Sequence, residues 1–212
     1  MALGFTNRLG QSCINNPPSA NQGEWSPVMT EIRLHGRGGQ GVVSAAQLIA
    51  DAAVLEGKYV QAFPEFGAER SGAPIAAYAR VSDRPIEIHS FIRNPDVVVV
   101  VDRSMTSFKS TTSGLRKDGY FICNSEGAPE ELRGKLGLGP SVKVFALDAT
   151  GIAMRSIGRD FPNTPMLGIL LRQTNLVGYD SLTKVLRERF KGAVLAGNEA
   201  ALKLGYEGAN NS

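Results

Sequence analysis

The stretch from Glu31 to Gly57 constrains this chain more than any other. A short alternating run, Glu31-Ile32-Arg33-Leu34-His35, leads into Gly36-Arg37-Gly38-Gly39-Gln40-Gly41. A helix-forming run of small residues follows, Val42 to Glu56, and Gly57 closes it. This reads as strand, glycine loop, helix. A chain that turns straight from a strand into a helix needs positive φ and close backbone approach, which glycine supplies at least steric cost. The helix start then presents unpaired N–H groups and the positive end of its dipole, where an anion such as a phosphate can sit.

The glycines at 36, 38 and 41 fit G-x-G-x-x-G. A dinucleotide site also needs an acid about 20 residues further on, at the end of the second strand, to hold the ribose. Asp51 and Glu56 fall inside the helix instead, and Glu65 follows Pro64 in what reads as a loop. The pattern is equally that of a tight strand-to-helix turn that binds nothing by itself.

The alternation of elements extends this start into an α/β chain. Tyr59 to Phe63 reads as a strand. It leads into a chemically dense loop, Pro64-Glu65-Phe66-Gly67-Ala68-Glu69-Arg70-Ser71-Gly72-Ala73-Pro74, at a carboxyl strand end, where α/β sheets place their sites. Ile75–Val81 and Ile86–Ile88, joined by Ser82-Asp83-Arg84-Pro85, predict a β-hairpin. Five consecutive valines, 97–101, predict a central strand buried on both faces, with Asp102 at its carboxyl end.

Ser104–Phe108 begins a short helix. Tyr120–Cys123 and Lys143–Leu147 are further strands, with Cys123 a small core side chain. Helices are predicted within 127–138, over 149–157, from Met166 with Thr164 as N-cap and Pro165 at the first position, from Asp180 or Ser181 to Phe190, and from Ala193 to Leu204, stopping at Gly205. The expected fold is a three-layer αβα arrangement around a mostly parallel sheet with an inserted β-hairpin and a Rossmann-like glycine loop.

Composition enters through what it excludes. The 212 residues suit one α/β domain. A net charge of +3 is too small to argue for nucleic acid or a membrane surface. Cys13 and Cys123 are far apart and no C-x-x-C exists, so the chain cannot hold an iron–sulfur cluster or a cysteine zinc site alone. Sparse cysteine suits a reducing cytoplasm. Residues 1–28 differ from the rest: with 10–27 rich in Asn, Gln, Ser, Gly and Pro, they read as a flexible tail or as an arm wrapping a partner, with Trp25, the only tryptophan, as an anchor. The remaining residues, 29–212, read as a single domain.

Four blocks, in order, carry a resemblance: His35–Gly41, Phe63–Pro74, Asn94-Pro95-Asp96 before the valine strand, and Asn163-Thr164-Pro165-Met166-Leu167-Gly168. Together they resemble the gamma subunit of 2-oxoacid:ferredoxin oxidoreductases, with the pyruvate branch the nearest fit. The resemblance covers roughly residues 30–206, and Met29 is where such a subunit is expected to begin. It implies an auxiliary subunit of a multisubunit enzyme that oxidatively decarboxylates pyruvate, or an aryl or other 2-oxoacid, to its acyl-CoA. Thiamine diphosphate, Mg and [4Fe-4S] clusters are implied in partner chains of alpha, beta and delta type. Coenzyme A is implied as co-substrate, and ferredoxin or another acceptor takes the electrons.

No catalytic residue is expected in this chain. Gly36, Arg37, Gly38, Gly39, Gln40, Gly41, Arg70 and Ser71 are expected to meet the coenzyme's phosphates. Phe63, Glu65, Phe66 and Glu69 are expected at subunit interfaces. Two other readings stay open: a purely structural subunit with no cofactor contact, and a stand-alone NAD-binding reductase.

Overall fold

A computed structural model describes residues 28–65 and 73–208. Six strands form one mixed sheet in the order β2-β3-β1-β4-β5-β6. They are β1 (Met29–Arg37), β2 (Tyr59–Glu65), β3 (Pro74–Ser82), β4 (Val97–Val100), β5 (Tyr120–Asn124) and β6 (Lys143–Leu147). The helices are α1 (Val42–Leu55), α2 (Pro129–Leu136), α3 (Ala149–Ser156), α4 (Asn163–Thr174), α5 (Tyr179–Arg189) and α6 (Gly192–Gly208). Strands β1, β4, β5 and β6 run parallel, whereas β3 is antiparallel to both β1 and β2.

The expected hairpin is therefore corrected. Ile75–Val81 belongs to a real hairpin strand, but its partners are β2 and β1, and Ile86–Ile88 is not a strand among the described residues. The reason is Arg80, which is 1% exposed on the sheet face away from the main helical layer. Its guanidinium donates to the carbonyls of Ser90 at 2.7 Å and Ile88 at 3.5 Å, so this segment closes over the arginine instead of pairing with an edge. Charge on the same guanidinium is met by Glu31 at 2.9 Å. A buried cation needs such pairing and hydrogen bonding to be tolerated.

The two faces of the sheet are covered unequally. One face carries Ile32, Leu34, Ala77, Ala79, Val97, Val99 and Ile122 against α1, α3, α4, α5 and α6 in the larger core. The other carries Val98, Val100, Phe121, Cys123 and Val144 against Met105 and α2. The valine run is buried on both sides, as its lack of alternation requires. Helix α1 lies close to the strands because Ala45, Ala46, Ala52 and Ala53 present almost no side-chain bulk.

Several helix ends differ from expectation in instructive ways. Residues 103–105 and 109–112 form 3₁₀ turns, not an α-helix. Helix α4 starts one residue before Thr164, whose hydroxyl donates to Asn198 Oδ1 on α6 at 2.6 Å instead of capping its own helix. Helix α5 starts after Gly178 with no side-chain cap, so neither Asp180 nor Ser181 holds that place. Helix α6 runs through Gly205 to Gly208, because Gly205 serves a close helix crossing and not a stop. Residues 1–27, almost all of the N-terminal extension, lie outside the described residues.

Candidate functional site

Strand β1 sends its connection through α1 towards β2, whereas β4 continues through β5 to β6 on the far side. The gap between the carboxyl ends of β1 and β4 is thus the point where the winding changes direction, the usual ligand crevice of open α/β sheets. The glycine loop, 36–41, forms one wall of it, and Asp102 with Ser104 the other.

The loop's shape follows from its glycines. Gly39 has φ +98° and Gly41 φ +74°, both in the left-handed region that favours glycine. A Cβ on Gly36 would stand 2.5 Å from Val42 Cγ2, and one on Gly41 2.6 Å from Asn163 Nδ2. The loop is pinned to the sheet edge by Gly38 N donating to the carbonyl of Ala73 at 3.1 Å. Gly41 caps α1 without any side-chain hydrogen bond, and the first turn of the helix carries no acid. Its N–H groups and dipole are therefore available to an anion.

The two non-glycine side chains of the loop turn towards β4. Gln40 Nε2 donates to Asp102 at 2.6 Å, and Gln40 Oε1 accepts from the Arg37 backbone N–H at 2.8 Å. Arg37 lies 3.5 Å from the Asp102 carboxylate and donates to Ser104 Oγ at 2.9 Å. Burial alone would raise the Asp102 carboxyl. Hydrogen bonds from Ser104 and Gln40, and the Arg37 charge, hold it below its ordinary value instead.

The other side of the loop opens into a cleft of about 600 Å³ between the start of α1, the start of α4 and α6. Gly39, Gly41, Ser44, Asn163 and Arg159 make its polar end; Ile157, Phe161, Phe190 and Val194 make its apolar end. Arg159 has no ion pair among the described residues. The arrangement combines anion-binding backbone with an apolar wall and suits a ligand that is part phosphate and part uncharged chain.

Of the sequence-predicted site residues, Gly36, Arg37, Gly38, Gly39, Gln40 and Gly41 are brought together here. Arg70, Ser71, Phe66 and Glu69 lie outside the described residues. Phe63 stacks on Tyr78 at 5.2 Å between ring centroids, and Glu65 accepts the Tyr78 hydroxyl, so both are engaged within the fold on β2. Asp102, Ser104, Arg159 and Phe161 were not legible as site residues. Asp102 carried a signal in its place after the valine strand; Arg159 and Phe161 sit in a turn whose neighbours only the fold supplies.

A dinucleotide arrangement is not what the geometry supports. The strand beside β1 on the hairpin side is antiparallel β3, so no carboxyl strand end stands there to offer a ribose acid. Glu65 ends β2 one strand further out. Cys123 is 0% exposed and burial pushes its thiol up to about 12, which removes it as a metal-binding thiolate. Among the described residues no three His, Cys, Asp or Glu side chains converge as a metal site, and no helix is long and apolar enough to cross a membrane.

Comparison with known proteins agrees with this fold. Residues 31–208 match the family described as pyruvate ferredoxin/flavodoxin oxidoreductase. The chain is 45% identical over 179 residues to the pyruvate/ketoisovalerate oxidoreductases common subunit gamma of Pyrococcus abyssi, covering 84% of this chain and 96% of that protein. It is likewise 45% identical over 179 residues to pyruvate synthase subunit PorC of Methanothermobacter thermautotrophicus, covering 84% and 95%. The crystal structure of pyruvate oxidoreductase subunit PORC from Thermotoga maritima superposes with a TM-score of 0.77 at 43% identity, covering 85% of this chain and 97% of that one.

Proposed function

Because the chain belongs to the pyruvate ferredoxin/flavodoxin oxidoreductase family, we propose that it is the gamma subunit of a cytoplasmic 2-oxoacid oxidoreductase complex whose carboxyl-edge glycine loop contacts coenzyme A. Pyruvate is the first-choice 2-oxoacid, since the relatives are named for pyruvate and ketoisovalerate. Partner subunits of alpha, beta and delta type would hold thiamine diphosphate, Mg and the [4Fe-4S] clusters, and ferredoxin would accept the electrons. Cys123 offers no thiolate to such a cluster, and Cys13 lies outside the described residues. Thiamine diphosphate supplies the decarboxylation chemistry in its own subunit; this chain contributes binding and orientation.

One observation carries the coenzyme part: an uncapped α1 terminus, the Arg159 guanidinium and an apolar wall share one cleft at the loop. The donor set fits a phosphorylated coenzyme. The backbone N–H groups of the first turn and Arg159 would hold phosphate, Asn163 a neighbouring polar group, and Ile157, Phe161 and Val194 the uncharged chain. Arg37, on the loop's other side, adds positive charge to the same edge.

Steady-state kinetics of the intact complex test this. Arg37→Ala and Arg159→Ala are expected to raise KM for coenzyme A while leaving KM for the 2-oxoacid unchanged, since the latter site belongs to other chains. An unchanged KM for coenzyme A in both variants overturns the coenzyme contact and leaves a purely structural subunit.

A further inference from the structure

The glycine loop has four glycines in six residues, and such a backbone has many conformations of similar energy. Something outside it must select one. The loop's two non-glycine side chains, Arg37 and Gln40, both end on the same carboxylate. Asp102 is 8% exposed and belongs to a different strand connection, the one leaving β4. Its Oδ2 accepts Gln40 Nε2 at 2.6 Å, and its Oδ1 lies 3.5 Å from Arg37 Nε.

Ser104 completes the group. Its backbone N–H donates to Asp102 Oδ1 at 2.9 Å, its hydroxyl bonds the same carboxylate, and that hydroxyl accepts from Arg37 Nη2 at 2.9 Å. Gln40 also returns to the loop by accepting the Arg37 backbone N–H at 2.8 Å. The carboxylate is thus held rigidly by the 3₁₀ turn it caps, and the loop is held by the carboxylate.

We infer that Asp102 is a positioning residue of the glycine loop: acting through Gln40 and Arg37, it sets the loop's shape and the direction of the Arg37 guanidinium for coenzyme contact. This rests on the coenzyme reading of the loop. A guanidinium on a flexible stem meets a phosphate productively only when its fork is pre-oriented. A second anion 3.5 Å away supplies that orientation, and it balances the arginine's charge when no coenzyme is bound.

Two readouts on the intact complex separate this role from a merely structural one: hydrogen–deuterium exchange of residues 36–41, and the split between KM and kcat. Asp102→Asn keeps the shape, removes the charge and turns one oxygen into a donor facing Gln40 or Ser104. It is expected to speed exchange in the loop and raise KM for coenzyme A about tenfold, with kcat at saturating coenzyme and KM for the 2-oxoacid unchanged. Gln40→Ala is a milder variant that removes the same link from the other side. It is expected to do the same in smaller measure, and the double variant is expected to be no worse than Asp102→Asn alone.

Unchanged loop exchange in both variants, or fully additive effects, overturns the role of Asp102 even where Arg37→Ala still raises KM for coenzyme A. Faster exchange with KM for coenzyme A unmoved in Asp102→Asn, Gln40→Ala and Arg37→Ala overturns the coenzyme reading itself, and the functional role of Asp102 with it.

Discussion

Gly168 on α4 and Gly205 on α6 meet backbone to backbone: a Cβ placed on Gly168 would stand 2.8 Å from the carbonyl carbon of Gly205 and 2.6 Å from the Tyr206 nitrogen. Gly205 is just as confined, but by a different stretch of α4: a Cβ there would lie 2.8 Å from the Pro165 carbonyl carbon. Both positions are inside helices, where alanine is intrinsically favoured by about 1 kcal/mol. The contact is with backbone, which cannot swing aside. Gly168→Ala and Gly205→Ala are therefore each expected to destabilise the fold by about 3 kcal/mol, the upper end for overpacking, as read from urea midpoints. Stabilisation by either alanine would contradict the close crossing.

The buried Arg80–Glu31 pair gives a prediction of opposite character. Removing only the carboxylate, as in Glu31→Leu, leaves a guanidinium at 1% exposure without its 2.9 Å partner. The expected loss is about 3–5 kcal/mol. Replacing both, Arg80→Met with Glu31→Leu, is expected to recover only part of that loss: the two apolar groups need no ion partner, but Gln61 and the carbonyls of Ile88 and Ser90 lose their donor. Denaturant unfolding of the two single variants and the double variant measures the difference.

His35 predicts a pH dependence. Burial, with the Arg33 charge beside it, lowers this imidazole from 6.5 to about 4. Its Nε2 accepts from Arg33 Nε at 2.9 Å, which requires the neutral ring. The folded state thus binds fewer protons than the unfolded state between about pH 6.5 and 4. Stability must fall as pH drops through that window and level off below it, by about 3 kcal/mol in total from this group. His35→Gln keeps an acceptor and cannot titrate. Its stability relative to the wild type is expected to improve steadily from pH 7 to pH 4.5 in thermal unfolding.

Cys123 is expected to be chemically silent. With its thiol buried at 0% exposure and pushed up to about 12, almost no thiolate forms at neutral pH. In a Cys13→Ser variant, iodoacetamide should label Cys123 only after unfolding, as mass spectrometry would show.

Much of the fold was legible because its signals are local. The valine run announced β4, and the glycines between His35 and Val42 announced the turn into α1. What was not legible is non-local. Nothing near Ile75–Val81 says that this strand inserts between β2 and β1, because register on two neighbours depends on residues far along the chain. Ile86–Ile88 has the local pattern of a strand, but Arg80, buried in β3, draws in the carbonyls of Ile88 and Ser90 instead. Gly205 looked like a helix stop, the common local meaning of such a glycine, whereas its role is set by Pro165 forty residues earlier.

At the candidate site the loop itself was visible, being contiguous. Its counterparts were not: Asp102 meets Gln40 across 62 residues, and Arg159 joins the cleft only through the packing of α3, α4 and α6. A contiguous motif can name one wall of a crevice; the opposite wall comes from topology.

The most direct test of the central claim is an anaerobic affinity purification of this chain from its own host, followed by mass spectrometry and assays for iron and thiamine. The account predicts co-purification of partner chains carrying iron, sulfide and thiamine diphosphate, with coenzyme A-dependent oxidation of a 2-oxoacid in the eluate. Recovery of the chain alone, without partners or cofactors or with bound NAD, would contradict it.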